Sequence, residues 1–99
     1  MINEKELADA IIASCPKRAG IKKRLLIGTA AASVQEAEKH MPGVLPLIFA
    51  AEHPTRAAIL YVLEKISAAW IAQPMRYHLL PAIDIIYRQG MKLTGRKPE

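Results

Sequence analysis

Turn-forming residues cut this chain into five segments, in each of which the apolar residues recur at helical spacing, and a C-terminal tail. The cuts fall at Pro16 to Gly20, Pro42-Gly43, Pro54, Gln73-Pro74 and Gly90. Proline lacks the N–H that a helix interior needs, and glycine loses the most entropy there, so both gather at element ends. Between the cuts there is no sustained alternation of apolar and polar residues, and no Asn-Gly or Asp-Gly pair offers a hairpin turn. No internal repeat is present at a period of roughly 20–50 residues. Such a chain forms a core by laying amphipathic helices against one another across short connections. The predicted fold is all-α: a compact bundle of about five helices in a single domain, residues 1–90, followed by a mobile basic C-terminal tail, residues 91–99.

The first helix is expected from about Glu4 to Cys15, capped by Asn3, with Glu6 at the third helical position close to a capping box. Leu7, Ala10, Ile11 and Ser14 form its inner stripe, and Glu4, Lys5 and Asp9 lie opposite. The second helix, Ile21 to His40, is nearly all apolar or small from Leu25 to Val34. A helix of that kind is central to its fold or shared with a partner. Its small residues at spacings of four, Gly28 with Ala32 and Thr29 with Ser33 and Ala37, let another helix come close. A short third helix follows from Val44 to Glu52, with Pro46 in its first turn. The fourth runs from Pro54 to Ala72 on a stripe of Ile59, Leu63, Ile66 and Trp70. The fifth runs from Met75 to Gln89, with Leu79, Ala82, Ile83 and Ile86 inward and Gly90 as its terminating residue.

Composition narrows the function. The 99 residues include 16 Ala, 12 Ile and 10 Leu but one Phe and one Trp, and 52% of the chain is apolar. That content excludes disorder, and a single cysteine excludes a disulfide scaffold. So many aliphatics on so small a body leave some outside the core, and exposed apolar patches mark interfaces. A homodimer or a protein partner is therefore expected. The free Cys15 fits a reducing, cytoplasmic setting. The most apolar stretch, Val44 to Leu63, is interrupted by Glu52, His53, Pro54 and Arg56, whereas a membrane span needs about 18 apolar residues in a row. The first residues lack the basic-then-apolar order of a secretory signal.

Catalytic motifs are missing. His40, His53 and His78 are widely separated from one another and from Cys15, without the clustering that zinc ligands show. No Gly-x-Ser-x-Gly elbow and no glycine-rich phosphate loop occurs, so no cofactor is implied. Cys15 reads as a structural thiol. Asp84, inside the apolar run Ile83 to Ile86, needs a partner if buried, and Arg88 stands four residues on. Tyr77, His78, Asp84, Tyr87 and Arg88 could line a polar pocket, although a solvated helix face with one ion pair is the plainer expectation. The chain is read as a non-enzyme that holds no metal.

Charge supplies the best functional signal. The net charge is +5, and residues 16–24 alone carry +5 through Lys17, Arg18, Lys22, Lys23 and Arg24. These cations surround the start of the second helix, where the helix dipole favours anions and disfavours each exposed cation by about 0.3–1 kcal/mol. Helix formation does not select them there. Free backbone N–H groups among positive side chains suit an anionic counterpart: an acidic protein surface or nucleic acid. Lys92, Arg96 and Lys97 of the tail could add to the same field. A helix–turn–helix reading of Glu6 to Leu26 is weak, because the second helix is too apolar beyond Leu25 to lie in a groove. The expected function is a small interaction protein, acting as adaptor, regulator or inhibitor through an apolar helix face and the basic patch, with phosphate contact as the alternative.

Overall fold

A computed structural model of the chain describes residues 1–70 and 79–98. Among these residues are five α-helices and no strand: α1 (Glu4–Ala13), α2 (Ile21–His40), α3 (Val44–Ala50), α4 (Arg56–Trp70) and α5 (Leu79–Leu93). The expected all-α bundle is what the chain forms. Its radius of gyration is 12.5 Å, against about 13 Å for a compact chain of this length. The expected start of the fifth helix at Met75, the inward side chains of Trp70 and Leu79, and the Gln73-Pro74 break lie outside what is described. No helix among the described residues is long and apolar enough to cross a membrane.

The start of α1 is built as its sequence predicts. Asn3 accepts the Glu6 N–H at 2.8 Å, and its side-chain amide donates back to the Glu6 carboxylate at 3.0 Å. The inner stripe, however, is Glu4, Leu7, Ala8 and Ile11, not Leu7, Ala10, Ile11 and Ser14. The rotation follows from Glu4, which is buried and accepts the backbone N–H of Gly43 at 2.7 Å. Gly43 sits at φ +83°, in the left-handed region where a side chain is strained, and opens α3. A carboxylate hydrogen bond from the first turn of α1 thus pins the turn between α2 and α3.

Every other helix packs on α2. It offers Ile27, Ala30, Ala31, Ser33, Val34 and Ala37 to the interior. The Ser33 hydroxyl is satisfied within the helix by the Thr29 carbonyl at 2.8 Å, so this buried polar group carries no unmet hydrogen bond. Small side chains here let neighbouring helices close in, and Leu7, Ile11, Leu45, Phe49, Ile59, Leu63 and Ile86 fill the space between them. Val62 and Ile66 complete the inner stripe of α4. The apolar side of α4 is therefore core.

The fifth helix departs from expectation at its end. Gly90 does not terminate it: α5 continues through Leu93, and Met91 is buried. Gly90 lies inside the helix because a Cβ there would overlap the ring of Phe49 from α3. The actual stop is Gly95, at φ +72°. Its N–H reaches the Lys92 carbonyl at 3.1 Å and the Arg96 N–H reaches the Met91 carbonyl at 2.8 Å, the paired bonds of a Schellman motif. Residues 91–93, assigned from sequence to the tail, belong to the helical body.

The two helix-interior glycines should respond oppositely to alanine. Gly90→Ala overpacks the Phe49 contact and costs about 1–3 kcal/mol, partly restored in Gly90→Ala/Phe49→Leu. Gly28→Ala meets open space and gains about 0.5–1 kcal/mol. Urea denaturation of both variants at a low, fixed protein concentration checks the signs.

Candidate functional site

The turn between α1 and α2 places the basic block. Ser14 closes α1, its N–H bonding the Ala10 and Ile11 carbonyls and its hydroxyl donating to Ile11 at 2.6 Å. The chain then turns through Pro16 to Ala19, where the Ala19 N–H meets the Pro16 carbonyl at 3.2 Å. Gly20 is the N-cap of α2 and supplies no side-chain cap, and no acidic residue stands in the first turn. The dipole at this end is thus unmet by anything local.

Of the five cations, Arg24 has a role in the fold. Its Nε donates to the Ala19 carbonyl at 3.1 Å, and Nη2 approaches the Lys17 carbonyl at 3.5 Å. Guanidinium geometry suits this double contact, which braces the turn. Lys17, Arg18, Lys22 and Lys23 are exposed. Among the described residues their side chains make no hydrogen bond or ion pair. Asp9, the nearest acid in sequence, is held by Lys5 at 2.9 Å instead, a contact that raises the lysine's pKa through the hydrogen bond and the charge of Asp9. Ile21 and Leu25 stand among the cations, 76% and 67% exposed.

Next to this block lies an open cleft of about 370 Å³ bordered by the end of α1, by Lys23 and Ile27 of α2, and by Asp84, Ile85, Arg88 and Gln89 of α5. The expected Asp84–Arg88 pair is present, Arg88 Nε donating to Oδ2 at 2.9 Å. A second arginine was not foreseen: Arg56 of α4 donates from Nε to Oδ1 at 2.9 Å. The Arg56 guanidinium also lies 4.2 Å from the ring centre of Tyr87, a cation–π contact of about 0.5–1 kcal/mol where exposed. No sequence spacing reveals this bridge, since its partners lie 28 residues apart. Burial pushes the Asp84 carboxyl up, but the hydrogen bonds and charges of Arg88 and Arg56 outweigh it and hold the group below its usual range. Tyr77 and His78, the other members of the expected pocket, lie outside the described residues.

The C-terminal cations are placed differently. Lys92 and Lys97 are exposed. Arg96 is bound to the end of α3, its Nη1 donating to the Ala51 carbonyl at 2.7 Å and approaching that of Glu52 at 3.4 Å. A cation on carbonyls at a helix C-terminus is favourable both as a cap and with the dipole. These bonds tie Arg96 to the α3–α4 connection and not to the Lys17–Arg24 block. Elsewhere, His40 bonds Glu36 at 3.2 Å, His53 is exposed, and Cys15 is half-buried. Among the described residues no three His, Cys, Asp or Glu side chains converge as metal ligands. Compared with known proteins, the chain matches no family, no curated protein and no solved structure.

Asp84 gives a pH signature. A carboxyl held low in the folded state stabilises above its unfolded pKa, 3.8, and that contribution is lost as pH falls through the folded value. Asp84→Asn should therefore lower stability near neutral pH by less than about 1 kcal/mol, since solvent screens this half-exposed network. The gap to the wild-type protein should close as pH falls below about 4. Denaturation midpoints across pH 3–7 check it.

Proposed function

We propose that this chain is a small non-enzymatic interaction protein that works as a cytoplasmic homodimer and docks on an acidic surface of another protein. The observation that carries this is the set of exposed cations, Lys17, Arg18, Lys22 and Lys23, that pair with nothing among the described residues and stand at a helix N-terminus with no side-chain cap. Cations placed against the helix dipole gain their stabilisation from an external anionic surface. The neighbouring cleft favours protein over nucleic acid as that surface. It mixes Lys23 and Arg88 with the Asp84 carboxylate and the apolar Ile27 and Ile85. Asp84 is already neutralised by Arg56 and Arg88, so the preference rests on the apolar lining: a phosphate backbone leaves Ile27 and Ile85 without a counterpart, whereas a protein surface can meet charged and apolar groups together. Binding would set orientation and association rate chiefly by charge.

Affinity capture from the native cell, with and without nuclease, tests this reading against a Lys17→Glu/Arg18→Glu/Lys23→Glu variant. The captured partner should be protein, survive nuclease, and bind the variant at least about tenfold more weakly, a loss of about 1.4 kcal/mol. Capture abolished by nuclease would assign the block to nucleic acid. Equal capture by the charge-reversed variant would remove the block from function altogether.

A further inference from the structure

Among the described residues, one side of α2 is left largely uncovered although the helix is the hub of the bundle. Its inner side runs through Ile27, Ala30, Val34 and Ala37. On the outer side stand Ile21, Leu25, Gly28, Ala32, Gln35 and Lys39. Their spacing of four, three, four, three and four residues is that of the a and d positions of a two-stranded coiled coil, apolar here at Ile21, Leu25 and Ala32. Ile21 and Leu25 are the most exposed large apolar residues after Met1. Gly28 costs the helix about 1 kcal/mol relative to alanine. Unlike Gly90, it answers no packing need among the described residues, having no positive φ and none of their atoms within 4 Å of where a Cβ would stand.

We propose that this face pairs with the same face of a second copy, the two α2 helices running antiparallel and crossing at Gly28 and Ala32. This specifies the surface of the homodimer proposed above. The charges flanking the seam choose both the occupant and its direction. Lys22 and Glu36 flank one side, and Arg24 and Glu38 the other. In an antiparallel pair centred between Gly28 and Ala32, Lys22 of each copy meets Glu36 of its partner, a carboxylate that His40 contacts through one oxygen, and Arg24, whose Nε and Nη2 serve the turn, offers Nη1 to Glu38. The two-fold axis repeats both contacts, as an isologous interface requires. A parallel pair sets the cationic ends together and the acidic ends together. Nucleic acid on this face meets Glu36 and Glu38 as like charges.

The centre of the crossing permits close approach, since Gly28 and Ala32 add almost no bulk between the axes. Ile21 then covers the aliphatic stem of Lys39 of the other copy, whose ammonium extends to solvent, and Leu25 meets Gln35. A pair of 20-residue helices gives a contact about 30 Å long. It buries less than the ~800 Å² per partner of a standard interface, so the dimer is concentration-dependent. Lys17, Arg18 and Lys23 stay outside the seam and remain free for an acidic partner.

Sedimentation equilibrium of the full chain from about 5 to about 500 μM decides it, a range suited to micromolar association. The wild-type mass should rise from 10.9 kDa towards twice that value. Leu25→Glu and Gly28→Leu should stay monomeric while circular dichroism shows an intact fold. Lys22→Glu and Glu36→Lys should each weaken pairing at least about tenfold, and the double swap should restore it to within about threefold. A wild-type monomer throughout would overturn both the homodimer and its interface. A dimer that survives Leu25→Glu and Gly28→Leu would overturn the α2 surface alone. Failure of the double swap to restore pairing would overturn the antiparallel arrangement.

Discussion

The structure depends on a limit of circumference. A helix exposes its whole perimeter, and α2 is apolar or small around most of it from Leu25 to Val34. Four neighbours pack on it, yet they cover only the side that carries Ile27, Ala30, Val34 and Ala37. Among the described residues no further helix covers Ile21 and Leu25. The small side chains that bring the neighbours close on one side recur, as Gly28 and Ala32, on the other. Core formation and the proposed association thus draw on one property of one helix.

Polar contacts at the element ends keep the packing in register. Buried Glu4 takes the Gly43 N–H, Arg96 takes the carbonyls that end α3, and Asp84 joins α4 to α5 through Arg56. Each satisfies a group that helix geometry leaves open, or links two helices that apolar contact alone would let slide. Against these ties the α1–α2 turn stands out. Arg24 braces its carbonyls, while the other cations there answer to nothing within the described part of the molecule.

What was legible in the sequence is what local chemistry decides. Asn3 and Glu6 announce the start of α1, and the span of α2 from Ile21 to His40 is set by Gly20 before it and Met41-Pro42 after it. The inner residues Ile59, Leu63, Ala82 and Ile86 follow from helical period alone. What escaped depends on residues distant in sequence. Glu4 belongs to the inner stripe only because Gly43 offers an N–H there. Gly90 resembles a helix stop until Phe49 is seen to lie against it, and the true stop at Gly95 competes with it on equal local terms. The basic block was visible as composition, but the separate role of Arg24 and the docking of Arg96 needed the tertiary path of the backbone.

The outer side of α2 is open in the single molecule and, in the proposed dimer, covered by the second copy. Solvent paramagnetic relaxation at the Ile21 and Leu25 methyls, read beside the buried Ile11 and Leu45, measures this directly. Fast relaxation is expected at those two methyls in dilute solution, slowing towards the values of Ile11 and Leu45 as concentration rises. Slow relaxation already at the lowest concentration, or fast relaxation unchanged at the highest, would contradict it.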